Sequence, residues 1–342
     1  MPSSSPFRPL STEPLLSSPR AVDVPDLVAQ ARSGRPRAVA RLISLVEDAH
    51  PSVPALMEAL MPYAGRAHVI GLTGAPGVGK STTTSALVAA FRARGARVGV
   101  LAVDPSSPFS GGALLGDRIR MQEHAADPEV FIRSMATRGH LGGLSWAAPA
   151  AVRVLDAVGC DVVLVETVGV GQSEVEVAGA ADTTIVLLAP GLGDGIQAAK
   201  AGILEIGDIF VVNKADREGA DATVHDLRHM VALAERRDAG AWRPPVVKTV
   251  AMTGHGIEDL MSAVDKHRSW LHVEHLQERR VDRAVREIEA LALERLRTRT
   301  GAPTAQRAVR DLAAAVVAGR TSPYAAAEQV VAVLTSAQAP DR

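Results

Sequence analysis

Eight residues in the first quarter of the chain, "GAPGVGKS" from Gly74 to Ser81, fit G-x-x-x-x-G-K-[ST] without exception. They stand between an apolar run at 68–73 and a helical stretch at 80–93, the strand–loop–helix setting in which this motif wraps phosphates. The glycines let backbone N–H groups turn inward, and the following helix adds its positive N-terminal end. Gly74, Ala75, Pro76, Gly77, Val78, Gly79, Lys80, Ser81 and Thr82 are therefore expected to hold a nucleotide's phosphates. Lys80 is expected to reach the β- and γ-phosphates and Ser81 to ligate Mg²⁺.

A motif of this kind needs a parallel sheet, and the pattern around it provides one. Apolar runs recur at 68–73, 98–103, 130–133, 162–166, 184–189, 209–213 and 246–251, mostly separated by helical stretches such as 80–93, 146–157 and 220–236. Strand–helix alternation predicts an α/β fold, a P-loop NTPase whose mainly parallel sheet is covered by helices on both faces. Ligands of such sheets lie at the carboxyl ends of the strands. Helical patterns flank this region. Before it, Val39, Leu42, Ile43 and Val46 form one helical stripe that Pro36 opens. After it, helices are expected at 257–271, 276–296 and within 309–334. The expected division is a disordered Ser/Pro-rich tail at 1–25, a helical extension at 26–62, a nucleotide-hydrolysing domain at 63–272 and a helical extension at 273–342.

Composition narrows the class. With 47% hydrophobic residues and 22% charged, the chain has the balance of a folded soluble protein. A formal net charge of −1 gives no general footprint for nucleic acid or an anionic membrane, so neither is an expected partner. The basic run "ERRVDR" reads as a solvated helix face, and His225, His229, His267, His272 and His275 read as surface residues. The single cysteine, Cys160, makes no intramolecular disulfide and is expected to be a small buried hydrophobe in a reducing, cytoplasmic setting. No apolar run reaches the length of a membrane span, and the first 25 residues lack the apolar centre of a secretory signal.

"NKAD", Asn213–Asp216, follows the apolar run "IFVV". An aspartate there accepts hydrogen bonds from N1–H and the exocyclic amine of guanine, donors that adenine lacks, so Asp216 favours GTP/GDP over adenine nucleotides. The Lys214 stem is expected to lie along the base, with Asn213 tying the loop down. Ala251 and Met252, in "VKTVAMTGHGI", are expected to meet the base from the next strand, with the Ala251 amide toward the guanine O6. Three acids complete the set. Asp104 ends the second strand, Asp117 lies in "GDRIRM", and Glu166 ends the strand that leads into "VETVGVGQSE". With Ser81 they form an oxygen-rich Mg²⁺ set, and Lys80, Glu166 and Gly169 are the expected catalytic residues. Val170 follows Gly169 where many switch GTPases place a water-orienting glutamine. Slow intrinsic hydrolysis is expected, or a group brought from elsewhere, with Gln172, Asp194, Gln197 and Lys200 as candidates.

Together "GAPGVGKS", "VDPSS", "GDRIRM", "VETVGVGQSE", "APGLGDGIQAAKAGILEI" and "NKAD" resemble the MeaB/ArgK-type GTPases, chaperones of adenosylcobalamin-dependent methylmalonyl-CoA mutase, over residues 27–300. The resemblance implies a homodimer with helical extensions and a client that is a cobalamin-dependent acyl-CoA mutase. It further implies gated transfer of the cofactor from a cobalamin adenosyltransferase, and mobile loops at about 106–120, 168–172 and 191–200. It also implies that glutamate at position 166 is a mark of the metallochaperone branch, its longer arm reaching the metal-bound water. Val250 departs from the serine of many GTPases. Two alternatives remain: a nickel-insertion GTPase of the same branch, and a GTP-binding module with negligible turnover. The chain lacks the Asp-x-His-x-x-Gly cobalamin pattern, so the mutase is a separate protein.

Overall fold

The computed structural model describes residues 22–104, 121–124, 126–136, 147–167, 179–191, 204–234, 241–271, 274–300 and 303–336. Three helices come first, α1 (Val24–Arg32), α2 (Pro36–Glu47) and α3 (Val53–Leu60). The α/β region follows: β1 (His68–Gly74), α4 (Lys80–Ala93), β2 (Val98–Asp104), β3 (Val130–Ala136), α5 (Ala148–Ala157), β4 (Val162–Glu166), β5 (Thr183–Leu188), β6 (Ile209–Val212), α6 (Ala220–Ala234), β7 (Val246–Lys248) and α7 (Ile257–Trp270). The chain ends in α8 (Glu274–Thr300), α9 (Pro303–Val317) and α10 (Pro323–Ser336).

The strands form one seven-stranded sheet in the order β3-β2-β4-β1-β5-β6-β7, and every pairing is parallel. In β1, β4, β5 and β6 every residue is buried, as a sheet covered on both faces requires. Alternate residues face opposite sides. Val69, Leu101, Val103, Val163 and Val165 pack against α1–α3 and α5, whereas Ile70, Leu72, Val98, Val100 and Leu164 meet α4 and α7. The stripe Val39, Leu42, Ile43 and Val46 is buried in the first of these cores, so the N-terminal helices share a core with the sheet. Farther along the sheet, Val186, Leu188, Phe210 and Val212 receive α6. Cys160 is buried as expected, and burial pushes its thiol up to about 12, which leaves it inert.

The amino ends of the strands carry a polar layer that corrects two expectations. His267 is fully buried, because it continues the inward stripe Ile257, Leu260, Met261 and Val264 of α7. Its Nδ1 lies 2.9 Å from the Thr183 hydroxyl, which sits 2.8 Å from His68 Nε2, so one hydroxyl bridges two rings. His267 Nε2 faces Asp208 Oδ1 at 3.3 Å, and Trp242 packs edge-on against the His267 ring. The run "ERRVDR" is likewise not a solvated face. Arg279 donates to both Asp208 oxygens at 2.7 and 3.0 Å, and Arg283 to Asp182 Oδ1 at 2.5 Å. Arg280 donates to the Gly65 carbonyl at 2.6 Å, and Glu287 pairs with Arg153 of α5. Buried carboxylates at the strand starts need cations, and α8 supplies them. Burial raises the Asp208 carboxyl, but the His267 ring beside it and the hydrogen bonds from Arg279 outweigh that and hold it at about 2. His225 and His229 are exposed on α6, and His275 is exposed on α8; His272 lies outside the described residues.

Candidate functional site

The end of β4 and the loops that follow β1, β6 and β7 gather at the carboxyl edge of the sheet, the opposite end from the arginine layer. Gly74 closes β1 with φ 138°, paired with Leu187 of β5, and a Cβ there would lie 2.2 Å from the Leu187 carbonyl oxygen. Gly79, at φ 98°, caps α4, and a Cβ on it would meet Asn213 Nδ2 at 2.3 Å. Glycine is required at both places by space as well as by dihedral angle. Lys80 is buried, and its ammonium donates to the carbonyls of Gly74 and Ala75 at 2.8 and 3.1 Å. A cation thus sits inside the turn that leads into α4. Val78 is buried under the turn, Thr82 and Ala75 are half-buried, and Pro76 and Gly77 are exposed.

Glu166 is the last residue of β4, buried, in register with Leu72 of β1 and Ala102 of β2. The Ser81 hydroxyl donates to its Oε1 at 2.6 Å and the Thr84 hydroxyl to its Oε2 at 3.1 Å. Ser81 and Thr84 are three apart on α4 and share a face. A carboxylate beside a serine hydroxyl, just below the phosphate-binding turn, offers the oxygen ligands that Mg²⁺ prefers. Among the described residues no three His, Cys, Asp or Glu gather as a metal cluster. That fits a cation that draws most of its ligands from phosphates and water. Asp104 ends β2, two residues beyond the partner of Glu166. Asp117, Gly169, Val170, Gln172, Asp194, Gln197 and Lys200 lie outside the described residues, as do nearly all of the three implied loops. Thr84 had no place in the motif reading, although a hydroxyl one turn past Ser81 was the available signal.

On the base side, Asn213 is a buried tie among three segments. Its Nδ2 donates to the Val78 carbonyl at 2.9 Å, while its Oδ1 accepts from Thr249 Oγ1 and the Ala251 amide, both at 3.1 Å. Lys214 adopts φ 56° and reaches back to the Gly77 carbonyl at 2.6 Å. Asp216 is exposed, facing solvent rather than buried. The strand expected through Ala251 stops at Lys248, because Thr249 and Ala251 bond to Asn213 and Val250 turns to bridge His255. Ala251 therefore lies in the following turn with its amide on Asn213, and Met252 beside it is 88% exposed.

Phosphate turn, acid-ended strand and Asn-tied base loop occupy one edge, and residues 39–305 match the family described as "Methylmalonyl Co-A mutase-associated GTPase MeaB". The chain belongs to the MeaB family. Like other members it is a P-loop GTPase that binds guanine nucleotide and hydrolyses GTP. A Pyrococcus horikoshii relative with a GTPase designation is 46% identical over 310 residues, 90% of this chain and 97% of its own. The Escherichia coli "GTPase ArgK" is 41% identical over 244 residues, 69% of this chain and 73% of its own. The Caenorhabditis elegans "Methylmalonic aciduria type A homolog, mitochondrial" is 37% identical over 259 residues, 71% of this chain and 65% of its own. Among solved structures, a LAO/AO transport system kinase superposes with a TM-score of 0.68 at 28% identity, over 91% of this chain and 97% of its own. Among the described residues no helix is long and apolar enough to cross a membrane.

Proposed function

We propose that this GTPase uses Mg²⁺ and GTP to gate adenosylcobalamin loading and protection of a cobalamin-dependent acyl-CoA mutase, methylmalonyl-CoA mutase first among them. The observation that carries the reading is the Ser81–Glu166 pair under the phosphate turn, in a chain matched to mutase-associated GTPases. Lys80 leaves its two carbonyls to meet the β- and γ-phosphates. Ser81 and Glu166 hold Mg²⁺, with Asp104 and Asp117 joining directly or through water. The cation, when bound, neutralises charge developing on the transferred phosphoryl group. Asp216 reads guanine, and Lys214 releases Gly77 to lie along the base. Ala251 and Met252 border the base.

The second half of the proposal is architectural. Residues 273–342 act as an arm that joins two copies into a homodimer, and 26–62 buttress the hydrolytic domain. Val281, Val285 and Ile288, four and three apart on α8, are 51%, 48% and 66% exposed and form an apolar stripe that a second copy would cover. Residues at 106–120, 168–172 and 191–200 relay nucleotide state to the mutase, with a cobalamin adenosyltransferase as the cofactor source.

The test is GTP hydrolysis by the purified chain, alone and with a cobalamin-dependent acyl-CoA mutase of the same organism. A slow basal rate that the mutase raises supports the reading. An unchanged rate with no complex formed removes the mutase as client and leaves the GTPase.

A further inference from the structure

Thr84 is fully buried, on the face of α4 that carries Ser81 and one turn beyond it. Its hydroxyl has one proton and two acceptors in reach, the Lys80 carbonyl at 3.0 Å and Glu166 Oε2 at 3.1 Å. The first contact is the ordinary back-bond of a helical threonine, and the carboxylate competes with it for the same proton. The second exists because β4 ends in an acid whose side chain spans from the strand to the second turn of the helix. An aspartate, shorter by one methylene, would fall roughly 1.3 Å short of that reach.

Each oxygen of the carboxylate consequently meets a hydroxyl of α4. Ser81 fixes Oε1 at 2.6 Å and Thr84 fixes Oε2 at 3.1 Å. The terminal torsion of a glutamate is broad and roughly two-fold, so one hydrogen bond leaves the carboxylate free to swivel. Two bonds from neighbouring turns of one rigid helix fix its plane as well as its position. Ser81 places its proton on Oε1, and a hydroxyl that donates its proton can also ligate a cation through its oxygen. Thr84 has no such second duty, because its hydroxyl points only at Lys80 and Glu166.

We infer that Thr84 is a positioning residue for the Mg²⁺ site, holding Glu166 by Oε2 so that Oε1 stays on the Ser81 side of α4. The inference rests on the reading of Ser81 and Glu166 as cation ligands. It adds a third α4 side chain to the phosphate-site machinery, one turn beyond the motif. It also gives the glutamate a structural reason: its length lets one helix grip both oxygens.

The test compares Thr84→Val, which removes the hydroxyl at nearly constant volume, with Thr84→Ser, which keeps it. Full-length protein loaded with GDP is titrated with Mn²⁺, free Mn²⁺ being read by electron paramagnetic resonance, and the Mg²⁺ half-saturation of GTP hydrolysis is measured alongside. Thr84→Val is expected to weaken Mn²⁺ binding by roughly three- to tenfold, the effect of one hydrogen bond to a charged group shared with a competing carbonyl. The half-saturation point should move by the same factor, and Thr84→Ser should stay within about twofold of the parent. In a Glu166→Gln background the Thr84→Val effect should vanish, since it acts through the carboxylate. Should Thr84→Val not fold, Thr84→Ala gives the same comparison. Unchanged Mn²⁺ affinity in the hydroxyl-free variant, or equal damage from Thr84→Ser, overturns the inference. If the parent binds Mn²⁺ no better than Glu166→Gln, the cation-site reading itself fails instead.

Discussion

Replacing His68 with glutamine should remove a defined part of the protein's acid sensitivity. His68 opens β1, is 4% exposed, and contacts the Thr183 hydroxyl at 2.8 Å. Burial is the main cause that lowers its pKa from 6.5 to about 4; Arg268, His267 and Arg280 lower it further, and Asp182 opposes them. The unfolded chain takes up a proton near pH 6.5 while the folded chain resists until about pH 4, so acid favours unfolding between those values. The contribution is fully present above 6.5 and fades as pH falls to about 4. The drop from 6.5 to about 4 corresponds to about 3 kcal/mol, of which about 2 kcal/mol is lost by pH 5. Glutamine retains an amide donor for Thr183 and does not titrate. Urea unfolding followed by circular dichroism, at about pH 7.5 and about pH 5, should show the variant losing about 2 kcal/mol less than the parent. Equal losses would mean that His68 does not carry the acid response, and the buried, neutral imidazole would have to be abandoned.

Three other outcomes are expected. Lys80→Ala should abolish GTP turnover while its circular dichroism spectrum matches the parent; normal hydrolysis would remove the lysine from the phosphate site. Asp216→Asn should shift nucleotide preference from guanine toward xanthine, because one acceptor becomes a donor, and competition between GTP and XTP reads this directly. Arg279→Met should cost about 2 kcal/mol in urea unfolding, since Asp208 keeps His267 and the Thr184 amide but loses its bidentate cation. A neutral result there would mean that α8 is not fastened through Asp208.

The sheet was legible because buried parallel strands are runs of Val, Ile and Leu, and because the phosphate turn marks where one strand ends. The helix Lys80–Ala93 and the strand Val162–Glu166 came out with the bounds read from sequence. The strand after Lys248 did not, since Thr249 and Ala251 bond to Asn213, a partner 38 positions before Ala251, and Val250 bridges His255. His267 was misplaced because residue type was weighed above position; its place on the Ile257–Val264 stripe already marked it as buried. The arginines of α8 were misread for another reason. Their partners Asp182 and Asp208 lie 101 and 71 positions away, and a charge run reads as solvated until those carboxylates are seen beneath it. Thr84 is the same problem in small: the threonine was visible, but not the carboxylate 82 positions on.

The arginine layer has one more consequence. Asp182 and Asp208 stand directly before β5 and β6, and the Gly65 and Ala67 carbonyls just before β1, so α8 is fastened to the starts of three adjacent strands. Two of those strands, β1 and β6, end in the phosphate turn and in Asn213. α8 and the nucleotide loops therefore sit at opposite ends of shared rods, about 13 Å apart along the four residues of β6. α8 follows the tilt of the sheet as a whole rather than the conformation of any single loop. None of these contacts lies at the carboxyl edge, so α8 is held without engaging a nucleotide loop.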